Sequence, residues 1–207
     1  MKKALFFILL LSSHKLFSQS FEGEIGFTIK TQAEIISYRY HVKDDKVRID
    51  EFDGDNKLVA FIILNLKSFD AILLNIDRKL YVDLEKNNTE LFKIKGVEII
   101  KGDSTKLIAG YNCKQVVVKN KKEKREVLYY NHKDNFSFFK GLLITLNRRD
   151  LASVYFQQIP DIKDVFPFLA IEKDAGGNVI TTFEVTDVVK KKVEENLFEI
   201  PMGYSKL

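Results

Sequence analysis

The alternation of apolar and polar side chains is strongest between Leu58 and Leu84, LVAFIILNLKSFDAILLNIDRKLYVDL. This stretch reads as three consecutive strands joined by tight turns at Lys67-Ser68 and Asp77-Arg78; its β-branched and aromatic residues suit a pleated surface and no proline interrupts it. In the first two runs, Leu58–Leu66 and Phe69–Ile76, both faces are apolar: Ala60, Ile62 and Leu64 point one way, Val59, Phe61 and Ile63 the other. A strand that is apolar on both faces must be covered on both. One cover is the protein's own core, and the other is a helix, a partner or an apolar ligand.

Shorter strand patterns flank this centre. Phe21–Lys30 alternates, with Gly23 and Gly26 marking a bend or bulge. Glu34–Lys43 places Ile36, Tyr38, Tyr40 and Val42 on one face against Ser37, Arg39 and His41, and after Asp44-Asp45 the chain returns along Lys46–Phe52. Asp53-Gly54-Asp55-Asn56 is a turn by composition. Beyond a break at Asn87-Asn88, a strand is expected at Glu90–Lys95, a turn at Gly102-Asp103-Ser104, and a strand over Leu107–Val118 kinked at Gly110. The lysine-rich turn Lys119–Lys124 leads into Arg125–Asn131, making a hairpin with a solvated basic tip. Val165–Glu172 and Val179–Val189 form a last hairpin across Asp174–Asn178.

Helical signal is sparse. Phe136–Leu146 is apolar without clean periodicity. After it, Asn147 or Asp150 caps a short helix in which Leu151, Val154 and Tyr155 share a face, and Pro160 ends it. A further helical turn lies near Val193–Leu197. The expected class is therefore mainly β: a curved antiparallel sheet or open half-barrel of about ten strands with one or two short helices. A sandwich would leave the two-sided centre with nothing to face on its second side.

Composition fixes the setting. Lys2 and Lys3 precede the apolar run Ala4–Leu11, and small residues follow at Ser12, Ser13, Ser18 and Ser20. This is the layout of a secretory signal peptide, and the run is too short to span a bilayer. The expected organisation is a signal over 1–18, cleaved there or after residue 20, followed by a single domain over 19–207. The expected product is exported, periplasmic or extracellular, and not integral to the membrane. Of the 33 Lys and Arg, three lie in residues 1–18 with no acid, which leaves 30 against 29 acidic residues. A nearly neutral chain lacks the basic excess that nucleic-acid binding requires. Cys113 stands alone, so no internal disulfide forms and the apolar core supplies the stability.

The chemical inventory is thin. His41 sits beside Arg39 and His132 beside Lys133, neither in a metal-ligand spacing. Cys113 is followed by Lys114 but has no Cys-x-x-Cys or Cys-His context and reads as a small buried hydrophobe. No GxSxG elbow, SxxK or phosphate-binding loop occurs, and Asp44-Asp45, Asp53 and Asp55 lack the order of a calcium loop. No catalytic residue, metal or cofactor is expected; an enzyme would need a carboxylate or tyrosine site that the sequence does not display. The remaining feature is aromatic. Phe27, Tyr38, Tyr40, Phe61, Leu73 and Tyr81 fall on neighbouring strands and are the candidate lining of a groove for a lipid, an acyl chain or another apolar ligand, with ordinary core packing as the alternative.

Two segments carry a resemblance. Ile108–Val118, IAGYNCKQVVV, is similar to an I-x-G-Y-x-C-x-x-x-x-V strand, and Leu197–Tyr204 resembles an LF-x-IP-x-GY ending. Together with the export signal and the Val179–Val189 strand, they resemble the exported proteins of unknown-function family 4412, related to the lipoprotein-carrier (LolA/LolB-like) fold. The resemblance implies an open half-barrel of antiparallel strands closed by helices, and a periplasmic setting, and it transfers no site. Two functions follow: a non-enzymatic carrier or sensor of an apolar ligand, or a cell-envelope interaction module that uses the second apolar face of residues 58–76 against a protein partner or a second copy.

Overall fold

The computed structural model describes residues 20–86, 90–148 and 150–207; the signal peptide expected over 1–18 and the break expected at Asn87-Asn88 lie outside them. The described strands form one sheet. In chain order they are β1 (Gly23–Lys30), β2 (Ile35–Lys43), β3 (Lys46–Phe52), β4 (Leu58–Asn65), β5 (Asp70–Asn75), β6 (Leu80–Asp83), β7 (Val97–Ile108), β8 (Tyr111–Asn120), β9 (Arg125–Lys133), β10 (Val165–Lys173), β11 (Val179–Lys190) and β12 (Ser205–Lys206). Their order across the sheet is β12-β6-β5-β4-β3-β2-β1-β11-β10-β9-β8-β7. All neighbours are antiparallel except β12, which pairs in parallel with β6. The sheet is curved and open, with its concave face covered by two helices, α1 (Phe138–Thr145) and α2 (Leu151–Phe156), from the connection between β9 and β10.

The mainly-β half-barrel expected from the pattern is thus the observed class, with twelve strands where about ten are expected. The differences have local causes. Glu90–Lys95 is not a strand: the N–H groups of Phe92 and Ile94 donate to the side-chain oxygens of Gln157 and Gln158, at 2.7 and 3.0 Å, just beyond α2. Gly102-Asp103-Ser104 is an irregularity inside β7, between Lys101 and Thr105, rather than a turn. The true turn is Ala109-Gly110, both at positive φ (47° and 84°), so the expected kinked strand is the end of β7 and the start of β8. Phe136–Leu146 lacks periodicity because α1 is buried along much of its length, with Phe138, Phe139, Leu142, Leu143 and Thr145 all inside. Asp150 caps α2 by accepting from the Ser153 N–H at 3.0 Å.

Register decides which side chains share a face. Tyr40, Ile49, Ile62 and Leu73 are successive partners across β2–β5 and face the concave core. Asp50, Phe61, Leu74 and Tyr81 form the next row and face the convex side. On β1, Ile25 and Phe27 pair with Tyr40 and Tyr38 of β2 in unbroken register and share the concave side, while β11 carries an extra residue, Thr186, opposite Gly26-Phe27. A side chain at Gly26 would fall 2.1 Å from the Asp187 carboxylate, which would have to move aside.

Candidate ligand-binding site

Between the concave face and the two helices lies a cavity of about 250 Å³. Its inner wall is apolar: Phe27, Ile49, Ile62 and Leu73 from the sheet face Phe139, Leu142, Leu143 and Phe156 from the helices. Protein interiors are otherwise close-packed, with few voids larger than a water molecule. Here the two helices are short, eight and six residues, and cannot fill the curved trough beneath them. Large rings hold the walls apart: Phe27 packs edge-on to Tyr40 (centroids 4.6 Å) and stacks on Tyr38 (5.3 Å).

The cavity has a polar mouth formed by Tyr38, Glu51, Arg148, Asp150, Ser153 and Thr181, all partly or fully solvent-exposed. Arg148 Nε donates to Asp150 Oδ2 at 2.7 Å. Burial works against both charges, but each outweighs it for the other: the Arg148 guanidinium is held above its ordinary range and the Asp150 carboxyl below its own. Burial pushes the phenols of Tyr38 and Tyr40 upward, so both remain protonated donors. The site therefore offers an apolar pit and a set of hydroxyl and guanidinium donors at its mouth.

Of the six residues proposed from alternation, Phe27, Tyr38, Tyr40 and Leu73 come together around this cavity. Phe61 and Tyr81 lie one position out of phase with Leu73 across the ladder. Phe61 borders the cavity wall, but its ring points to the convex side, with the Arg48 guanidinium 3.9 Å from its centroid and Tyr204 edge-on at 6.4 Å. Tyr81 packs against that same convex cluster. Phe139, Leu142 and Leu143 escape alternation reasoning because they come from the segment without periodicity, and Phe156 because it lies on the short helix whose available signal is the cap at Asp150.

The convex side answers the question of the second apolar face. Phe61, Ile63 and Leu74 are buried there beneath Phe198 and Tyr204 of the C-terminal tail. The tail is fastened by Lys43 and Lys46 to Glu195 (2.8 and 2.6 Å), by Arg48 to the Leu197 carbonyl (3.4 Å), by a Lys206–Asp83 ion pair, and by pairing of β12 with β6. Beside it lies a buried ionic row. His41 Nε2 is 3.0 Å from Asp50, Arg48 Nε donates to Asp50 at 2.6 Å, and His41 Nδ1 is 3.0 Å from Glu24, close enough for ion pairing though not aligned as a hydrogen bond. Among the described residues no Ser, Thr or Cys side chain hydrogen-bonds to His41. Cys113 is buried, and burial raises its thiol to about 11, which makes it unreactive at neutral pH. Among the described residues no group of His, Cys, Asp and Glu is placed to hold a metal ion, and no helix is long and apolar enough to cross a membrane.

An open antiparallel half-barrel whose concave face is closed by helices is consistent with the LolA-like class of fold. Within that class the chain belongs to the family described as a domain of unknown function (DUF4412), whose profile matches residues 21–204. Among solved structures, the chain is similar to an uncharacterized conserved protein from Thermus thermophilus, with a TM-score of 0.52 at 10% identity over 92% of this chain and 91% of that one. It is equally similar to the MucA/MucB complex structure of Pseudomonas aeruginosa, with a TM-score of 0.52 at 10% identity over 85% of this chain and 54% of that one, so it spans about half of that relative. At such identities the likeness is one of fold. No curated protein matches the chain.

Proposed function

We propose that the protein is an exported, non-enzymatic binding protein that carries or senses a lipid or other apolar ligand in the concave cavity. The carrying observation is the cavity itself, about 250 Å³ of apolar-walled space in a chain whose other face is filled by its own tail. Burying an acyl chain there is worth roughly 0.8 kcal/mol per methylene. Export rests on the signal-like residues 1–18, with the working domain at 19–207. Phe27, Tyr38, Tyr40 and Leu73 contribute contact area; Phe61 and Tyr81 support the wall from the opposite face.

A second reading, an envelope interaction module, draws on the fold relative solved as a MucA/MucB complex. On the second face of residues 58–76 it requires the tail to leave, because Phe61 and Leu74 are buried under it. Native mass spectrometry of residues 19–207 from an exporting host, before and after incubation with a lipid extract, tests the first reading. An apolar adduct that is absent from Ala60→Leu, which narrows the cavity, is expected. Protein that carries no adduct and takes up none overturns the carrier reading.

A further inference from the structure

The cavity wall presents a hydroxyl that no described residue of the protein engages. Tyr40 is 5% exposed and lines the cavity, yet among the described residues no group hydrogen-bonds to its phenol. Its counterpart in the same wall, Tyr129, donates to the Ala152 carbonyl at 2.5 Å. The Tyr40 hydroxyl therefore faces the cavity with its donor and acceptor positions open to whatever fills that space. The rings around Tyr40 (Phe27, Phe138 and Phe166) offer no acceptor.

Two more donors lie on the same side. Tyr38, two residues along the same face of β2, lines the cavity with a hydroxyl that is likewise unpaired among the described residues. Arg148 is locked through Nε to Asp150, itself fixed as the cap of α2, which leaves the outer N–H groups of the guanidinium uncommitted. Tyr38, Tyr40 and Arg148 all line this one cavity. Among the described residues no side chain accepts from these open donor positions. The two acids at the mouth are the committed Asp150 and Glu51, which forms no hydrogen bond to Tyr38, its partner across the β2–β3 ladder.

We infer that the cavity takes a single-chain acyl amphiphile whose carbonyl oxygen accepts hydrogen bonds from Tyr40, Tyr38 and Arg148, with the chain directed toward Ile62, Leu73 and Leu142. This rests on the carrier reading above and specifies its ligand. Size limits the ligand to one chain, because 250 Å³ is about eight water-sized volumes. The carbonyl is common to a free fatty acid and to an esterified acyl group, and the acids Asp150 and Glu51 leave the mouth without excess positive charge.

Decanoate, methyl decanoate and decane, titrated into the isotopically labelled protein and followed by two-dimensional NMR, separate these chemistries. The expected result is that a carbonyl-bearing ligand binds and that Tyr40→Phe weakens it about tenfold, while decane binds both proteins alike. Arg148→Gln should weaken the same ligand independently, and Tyr129→Phe, whose hydroxyl is already engaged, should not. Preference for decanoate assigns the free acid, and preference for methyl decanoate the esterified group. If Tyr40→Phe and Arg148→Gln bind the carbonyl ligands and decane as the parent protein does, the carbonyl inference is overturned and the apolar site stands. If none of the three ligands binds the parent protein, the carrier reading falls and the inference with it.

Discussion

The two faces of β2–β5 are made from the same kind of residue and are finished in opposite ways. On the convex face, Phe61, Ile63 and Leu74 are sealed by Phe198 and Tyr204, and the charges beside them are paired: Asp50 with His41 and Arg48, Glu195 with Lys43 and Lys46. On the concave face, Tyr40, Ile62 and Leu73 look across about 250 Å³ at helices too short to reach them, and the Tyr40 hydroxyl is unpaired among the described residues. A two-sided apolar strand therefore does not by itself announce a ligand. One of its covers is a tail more than a hundred residues away in the chain, while the other face borders an apolar-walled cavity.

The contrast can be broken most sharply at two adjacent residues. Leu74 is fully buried under the tail and Leu73 borders the cavity. Leu74→Ala should cost about 3 kcal/mol and Leu73→Ala less than about 2 kcal/mol, because a wall next to a void loses fewer contacts when trimmed. Urea denaturation measures both; equal losses would mean that the two faces are packed alike.

Asp50→Ala leaves His41 and Arg48 buried without their shared carboxylate and should cost about 3 kcal/mol. The pH dependence has a fixed sign. Burial raises the Asp50 and Glu24 carboxyls, but the cations outweigh it: His41 and Arg48 around Asp50, and Lys191, His41 and Arg39 around Glu24. Both therefore sit below the ordinary range. A depressed folded pKa gives stability that is present above the unfolded value and lost as pH falls through the folded one. Stability should accordingly decline below about pH 4, and more shallowly in Asp50→Asn. A pH profile unchanged by that substitution would remove the charge row from the account.

Smaller effects follow from the covers themselves. Tyr204→Ala removes a half-buried ring that meets Phe61 edge-on and should cost about 1.5 kcal/mol, with no change in ligand affinity. Ala60→Leu extends into the cavity and should change stability by less than about 1 kcal/mol while abolishing ligand uptake. Thermal unfolding together with binding assays on both variants checks that stability and binding separate by face.

The sheet is legible in the sequence because its strands alternate: β1–β6 and the hairpins β8–β9 and β10–β11 follow from period two and turn composition. Four of the six aromatic and apolar candidates meet at the cavity for the same reason. Phe61 and Tyr81 fall into the same group because alternation orders residues within a strand but gives no register between strands, and a shift of one position moves a side chain to the other face. Helix α1 is illegible because it is buried along much of its surface and shows no amphipathic stripe. The tail's role is hidden by distance: nothing local in Leu197–Tyr204 says that Phe198 and Tyr204 cover Phe61 and Leu74.

The most direct test of the account is where a chain lies when it binds. With ¹³C-methyl-labelled protein and an excess of decanoate, intermolecular NOEs should connect the chain to the methyls of Ile62, Leu73, Leu142 and Leu143 and not to those of Ile63 and Leu74. Contacts to Ile63 and Leu74 would place the ligand under the tail and contradict the assignment of the concave cavity as the binding site.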